Sequence, residues 1–248
     1  LPSIWLDNST NAAPVAGIDG CRGGWLVALA NPGADSIQWS LAHSIQQAAD
    51  HCRECQFVAV DMPIGLLDHA TPGGRFCDQE ARCLLPAGWK SSVFTPPVRA
   101  AVYASDYETG LLLNRRSSDE AVGFSLQAWN IVPKIRELDE FLTPSRQLVW
   151  QETFPELAFL AMNGGAALRH RKKTKEGQLE RRRLIRKELK VRPSDPTTLL
   201  PRSVAQPDDY WDALACLVVA RKLATGRAQR VGDGSLHDSR GLVMQMCY

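Results

Sequence analysis

Apolar residues run unbroken through 15–18 (VAGI) and stop at Asp19, where a glycine-rich corner follows over 20–24. A second apolar run, 25–30 (WLVALA), ends at an Asn-Pro-Gly turn signal, and Ile37, Trp39 and Leu41 then alternate with polar neighbours. The pattern predicts three short strands joined by turns, an antiparallel meander. Over 43–55 the period lengthens, with Ile45, Ala48, Ala49 and Cys52 sharing one helical face. Residues 57–61 (FVAVD) are again continuously apolar and again end in an acid, which predicts a strand buried on both faces. Pro63 and Gly65 break it.

The stretch 62–146 reads as an insertion of short helices and proline breaks. Its longest helical pattern spans 124–142, kinked or divided by Pro133. Residues 147–153 (QLVWQET) predict a further strand with an acid at its end, and Pro155 then opens a helix that stops at Gly164-Gly165. A basic helix is predicted over 176–189, followed by a loop rich in Pro, Ser and Thr over 192–207. The last helix, 208–226, has acids in its first turn, basic residues in its last and a closing glycine. Its centre, ALACLVVA, is apolar all round and therefore buried. Residues 242–247 suggest a final strand. The order β-β-β-α-β, insertion, β, helices defines an α/β fold with a mixed five-stranded sheet flanked by helices.

Composition narrows the class. With 248 residues, 44% hydrophobic and 23% charged, the chain suits one sizeable domain over 15–248, with 1–14 as an N-terminal extension. No apolar run approaches the roughly 20 residues a membrane helix requires. The first 14 residues lack the basic flank and apolar core of a secretory leader, so a cytoplasmic protein is expected. Seven cysteines, an odd number at irregular spacing, suit free thiols; the Cys52/Cys55 pair has no second pair at zinc-finger spacing. Charge is uneven: residues 169–192 hold 12 Lys or Arg against 3 Glu, and the remainder holds 17 basic against 24 acidic residues. A basic segment on an acidic body suits a polyanionic partner such as nucleic acid, although a solvated helix face has the same composition.

Three predicted strands end in acids: Asp19, Asp61 and Glu152. If the first, fourth and fifth strands lie parallel and adjacent, these acids meet in the crevice beyond their carboxyl ends. Asp209 and Asp212, three apart, project from one face at the start of the last helix. Capping accounts for Asp208 and Asp209. It accounts less well for Asp212, at the mouth of a buried helix, where an acid must be paired, hydrogen-bonded or metal-bound. Clustered carboxylates require cations, and oxygen-only ligation favours Mg²⁺ or Mn²⁺. Two such ions would catalyse phosphoryl displacement without a nucleophilic side chain.

An acid ending the first strand, another ending the fourth and two acids three apart opening the last helix resemble the RuvC-like branch of the RNase H-like superfamily. Asp19, Asp61, Asp209 and Asp212 match it residue by residue. More narrowly, from Val15 onward the chain resembles the domain-of-unknown-function 429 family of predicted nucleases. The matching stretches include GIDGCRGGW (17–25), VDMPIGL (60–66), RFCDQEAR (75–82), SVFTPP (92–97), SLQAWNIVPKIRELD (125–139), ETFPE (152–156), KKTKEG (172–177) and DDYWDALA (208–215). The resemblance implies an RNase H-like fold and a metal-dependent nuclease. Asp19, Asp61, Asp209 and Asp212 would be catalytic, with Asp19, Asp61, Asp212 and Glu152 on the metal.

Other motif residues have two readings each. Arg75 and Arg82 either contact a substrate phosphate or join Asp78 and Glu80 in an ion-pair network. Gln127, Trp129 and Lys134 either line a pocket, with Trp129 stacking on a base, or pack the core. Lys172 and Lys173 are placed to grip phosphates. Two rivals to a nuclease remain: a non-catalytic nucleic-acid-binding or scaffold protein, and a metal-dependent hydrolase of a small phosphorylated molecule. An open basic groove would favour a polymer and an enclosed cavity a small ligand.

Overall fold

A computed structural model of the protein describes residues 13–31, 36–190 and 199–248. Most of the predicted extension, the turn after the second strand and the start of the Pro/Ser/Thr loop lie outside these residues. The sheet comprises β1 (Val15–Cys21), β2 (Gly24–Ala30), β3 (Gln38–Ala42), β4 (Phe57–Asp61) and β5 (Trp150–Glu152), ordered β3-β2-β1-β4-β5. β1 pairs antiparallel with β2 and β2 with β3, whereas β1, β4 and β5 run parallel. The mixed sheet and its helical insertion are as the hydrophobic pattern predicts. Helix α1 (Ile45–His51) connects β3 to β4 and is shorter than the predicted 43–55.

The insertion carries α2 (Phe76–Leu84), a 3₁₀ turn (Ala87–Ser92), α3 (Arg99–Val102), α4 (Tyr107–Arg116), α5 (Leu126–Trp129), α6 (Val132–Phe141) and α7 (Pro144–Gln147). Pro133 starts α6 rather than kinking one long helix, because a proline in the first turn forfeits no intrahelical bond. The short helix α7 takes Gln147, and a turn takes Leu148 and Val149, from the span that the pattern assigned to a strand. Thr143 caps the helix by accepting from the Arg146 amide, so β5 is only three residues long. After β5 come α8 (Pro155–Met162), α9 (Lys175–Leu189) and α10 (Pro207–Ala224), then a two-stranded ribbon of β6 (Arg230–Val231) and β7 (Met246–Cys247).

Strand alternation divides the sheet into two faces. Ala16, Ile18, Trp25, Val27, Val58 and Val60 pack on one, under α1 and α6. Val15, Leu26, Ala28 and Ala59 pack on the other, under α10. Helix α10 rides unusually close to β1: a Cβ on Gly17 would lie 2.1 Å from the Leu217 nitrogen and 2.2 Å from the Ala213 oxygen. Only glycine admits that approach, and it brings the start of α10 to the carboxyl end of β1. This contact positions the site.

Candidate functional site

Asp19 and Asp61 are register partners at the ends of adjacent parallel strands, so their side chains leave the sheet on the same face. By parity with Gly17 and Ala59, that face is the one covered by α10, whose first turns present Asp212. Asp19 and Asp212 are buried, and Asp61 is half-buried. Burial first, then Asp61, Asp212 and Asp209, push the Asp19 carboxyl well above its ordinary range. Burial and then Asp212 do the same to Asp61. Neither Asp19 nor Asp61 accepts a hydrogen bond from any described residue, and Asp212 Oδ1 is buried without a partner.

One cation stands among them. Lys172 Nζ donates to Asp212 Oδ2 at 2.7 Å and lies 3.7 Å from Asp208. Asp212 first, then Asp19 and Asp61, hold this ammonium above its ordinary range against the opposing effect of burial. Glu156, in the first turn of α8, is a further acid of the group, and both its oxygens accept from Arg181 at 2.8 and 3.0 Å. Of the three carboxyls Asp19, Asp61 and Asp212, only Asp212 has a hydrogen-bonded cation among the described residues, the Lys172 ammonium, so Asp19 and Asp61 would lack a directly paired counterion when ionised. As the side chains stand, no three His, Cys, Asp or Glu of the described residues converge closely enough to hold a metal ion. Asp212 turns to Lys172, and other acids nearby have partners of their own.

Glu152 is one of these. Its register partner is Val60, one residue short of Asp61, so pleat parity sends it to the opposite face of the sheet. There it accepts from Arg75 Nη1 and Nη2 at 2.8 and 2.7 Å and from the Ile64 amide at 2.6 Å. Arg75 is 1% exposed and also bonds Asp78 and the Ile64 carbonyl. The ion-pair reading of Arg75 matches this geometry. Asp209 closes a capping box, accepting from the Gln206 amide at 2.7 Å, and burial raises its carboxyl to about 6. Arg82 is turned to the insertion, donating to the Gly73 and Val93 carbonyls and to Thr95 Oγ1. Lys134 donates to the Gly24 carbonyl and lies over the Trp25 ring. Trp129 stacks on Phe124 within an aromatic group that includes Tyr107. Lys173 is exposed, with no ion-pair partner among the described residues.

The acids open into a cleft of roughly 630 Å³ between the sheet edge and the insertion. Asp61, Glu156, Asp212 and Lys172 line one end. Phe94, Pro96, Phe124, Phe154 and the Gln127 amide line the rest. This volume falls within the range of small-molecule sites. The SVFTPP stretch supplies much of the roof, fastened by Arg82 to α2. Composition gives no hint of this role, because the loop meets the site only through long-range packing. On the rim, Arg171 lies over the Trp89 ring and donates to the Gly88 carbonyl, holding the Lys172 loop in place.

These shifts fix a pH dependence for the metal-free protein. Asp19, Asp61 and Asp209 have folded pKa values raised above their unfolded ones. Their contribution to stability is therefore complete below about pH 4 and is lost as pH rises, for Asp209 through about 6. The carboxyls of exposed Asp106 and Asp233 are lowered, and their opposite effect falls below that window. In EDTA, the wild type is expected to lose more stability to urea between pH 5 and pH 7 than D209N does. Equal or reversed slopes would refute the assignment.

The sheet order, the inserted helices and the acid-ended cleft define an α/β protein whose topology is consistent with an RNase H-like scaffold. The chain belongs to the family described as protein of unknown function (DUF429), whose model matches residues 17–236. No curated protein and no solved structure matches it. No helix of the described residues is long and apolar enough to cross a membrane.

Proposed function

We propose that the protein is a divalent-metal-dependent hydrolase of phosphodiesters. One observation carries the reading: the carboxyls of Asp19, Asp61 and Asp212 gather beside a single hydrogen-bonded ammonium, with Asp61 and Asp212 lining a ligand-sized cleft. Uncompensated buried carboxylates either take up protons or bind a cation. The donor set suits a hard ion in its chemistry, being all oxygen with Asp212 Oδ1 unpartnered, and side-chain rotation would have to bring the three carboxylates together on it. Asp19, Asp61 and Asp212 would hold Mg²⁺ or Mn²⁺; Glu152 and Asp209 would first have to surrender Arg75 and the Gln206 amide. When bound, the ion would supply Lewis-acid polarisation of a phosphoryl oxygen and a more acidic water.

The chain's own groups do the remaining work. Lys172 brings positive charge to the anionic end of the cleft. The phenylalanine and proline walls exclude water and accept a flat or apolar group, and the Gln127 amide offers a donor and an acceptor to its edge. A roof over the acids favours one nucleotide-sized unit, either the end of a strand or a small phosphorylated molecule.

The test is thermal unfolding with and without Mg²⁺ or Mn²⁺, together with hydrolysis of single-stranded, duplex and branched nucleic acids, mononucleotides and bis(p-nitrophenyl) phosphate. Stabilisation by the ion with cleavage of at least one substrate is expected. Absence of both, with either ion, defeats the reading. Salt-sensitive polyanion binding without hydrolysis, unchanged in D19N and lost on charge reversal at Lys172 and Lys173, would favour a binding protein instead.

A further inference from the structure

Lys172 is more than a cleft-lining cation. It comes from the loop ahead of α9, remote in sequence from the strands and from α10, and its ammonium reaches Asp212 Oδ2 at 2.7 Å. Asp212 is 3% exposed, and its other oxygen is unpartnered. The Lys172 side chain is 40% exposed, so the same ammonium borders both the acids and the cleft. Arg171 and the Thr174 cap fix the loop on either side: Arg171 by its contacts with Trp89 and Gly88, Thr174 by accepting from the Gly177 amide. The backbone is therefore anchored while the four-carbon stem of Lys172 retains its torsional freedom. A divalent ion entering between Asp19, Asp61 and Asp212 would compete with that ammonium for the same carboxylate.

We infer that Lys172 is a resident internal cation that a divalent metal displaces from Asp212, so that the freed ammonium faces the cleft and the anionic group of the substrate. This rests on the metal-dependent reading above. With the ion absent, Lys172 offsets one of three repelling carboxylates and keeps the site folded. With the ion present, the ammonium released from Asp212 becomes available to a ligand in the cleft that Lys172 already lines. Lysine suits such an exchange because its single ammonium carries no bidentate fork to release.

The measurement is Mn²⁺ affinity, by titration calorimetry and by electron paramagnetic resonance of free Mn²⁺, on purified wild type, K172M, K172Q and K173M. Displacement predicts that K172M and K172Q bind Mn²⁺ about tenfold more tightly than wild type. K173M removes the same charge one residue away without touching a carboxylate, and is expected to stay within about twofold. Should K172M fold poorly, K172Q, which keeps a polar though shorter side chain, carries the comparison. Equal or weaker binding by the Lys172 variants overturns the displacement while leaving the metal site standing. Equal tightening in K173M also overturns it, reducing the effect to long-range charge. No Mn²⁺ binding by any of the four proteins overturns both this inference and the hydrolase reading.

Discussion

Asparagine in place of Asp19 is expected to reduce metal-dependent hydrolysis by about a hundredfold or more and to abolish stabilisation by Mn²⁺. The same substitution is expected to make the metal-free protein more stable. Asp19 is buried beside Asp61 and Asp212, has no hydrogen-bond donor among the described residues, and is driven upward in pKa by burial and those neighbours. A neutral amide of nearly the same shape removes the repulsion, and a gain of about 1–2 kcal/mol is the expected size for relief at a strained functional site. Urea unfolding in EDTA measures the gain, and the Mn²⁺-induced shift measures the loss. A purely structural Asp19 would give the reverse: a destabilised variant whose response to metal is intact.

The largest stability loss is expected at Arg75. Its guanidinium is fully buried and bonded to Asp78, Glu152 and the Ile64 and Gly65 carbonyls. Burial alone would pull its pKa down, but Asp78 and Glu152 more than reverse that. Removing it by R75M strands two acids in the interior at once, and breaking a buried pair from one side costs about 3–5 kcal/mol. The R75M/E152Q double variant should be less destabilised than the sum of its single variants, because the second change removes a charge left unpaired by the first. A loss below about 1 kcal/mol in R75M, with a weakened KM for substrate, would instead put Arg75 in ligand binding.

The two predictions separate what the sequence makes legible from what it conceals. Asp19 and Asp61 end apolar runs of the kind parallel strands require, so their convergence follows once those strands are neighbours. Asp212 stands out because it opens a helix too apolar to face water. Glu152 has the same outward signature as Asp61, an acid closing a short strand, yet it lies on the other face. Strand register decides this, and a one-residue offset against Val60 leaves no trace in hydropathy. Asp209 is similarly ambiguous, because the spacing that suits a ligand also suits a capping box. Arg75 and Arg82 occupy one short motif, but one is interior and the other braces the roof loop. Their separate destinations depend on Glu152, 77 residues from Arg75, and on Thr95, 13 residues from Arg82, neither of which the motif contains. The cleft itself is assembled from β4, the insertion, α8, the Lys172 loop and α10, so no local pattern announces it.

The missing side chain at residue 17 has one more effect. The backbones of β1 and α10 pack directly against each other there, with no side chain between them. Any adjustment in the span between carboxylates 19 and 212 must come from rotation about side-chain bonds, since the two elements have no room to slide. Under the metal-dependent reading, an ion of a different radius would therefore have to be met by the carboxylate side chains alone.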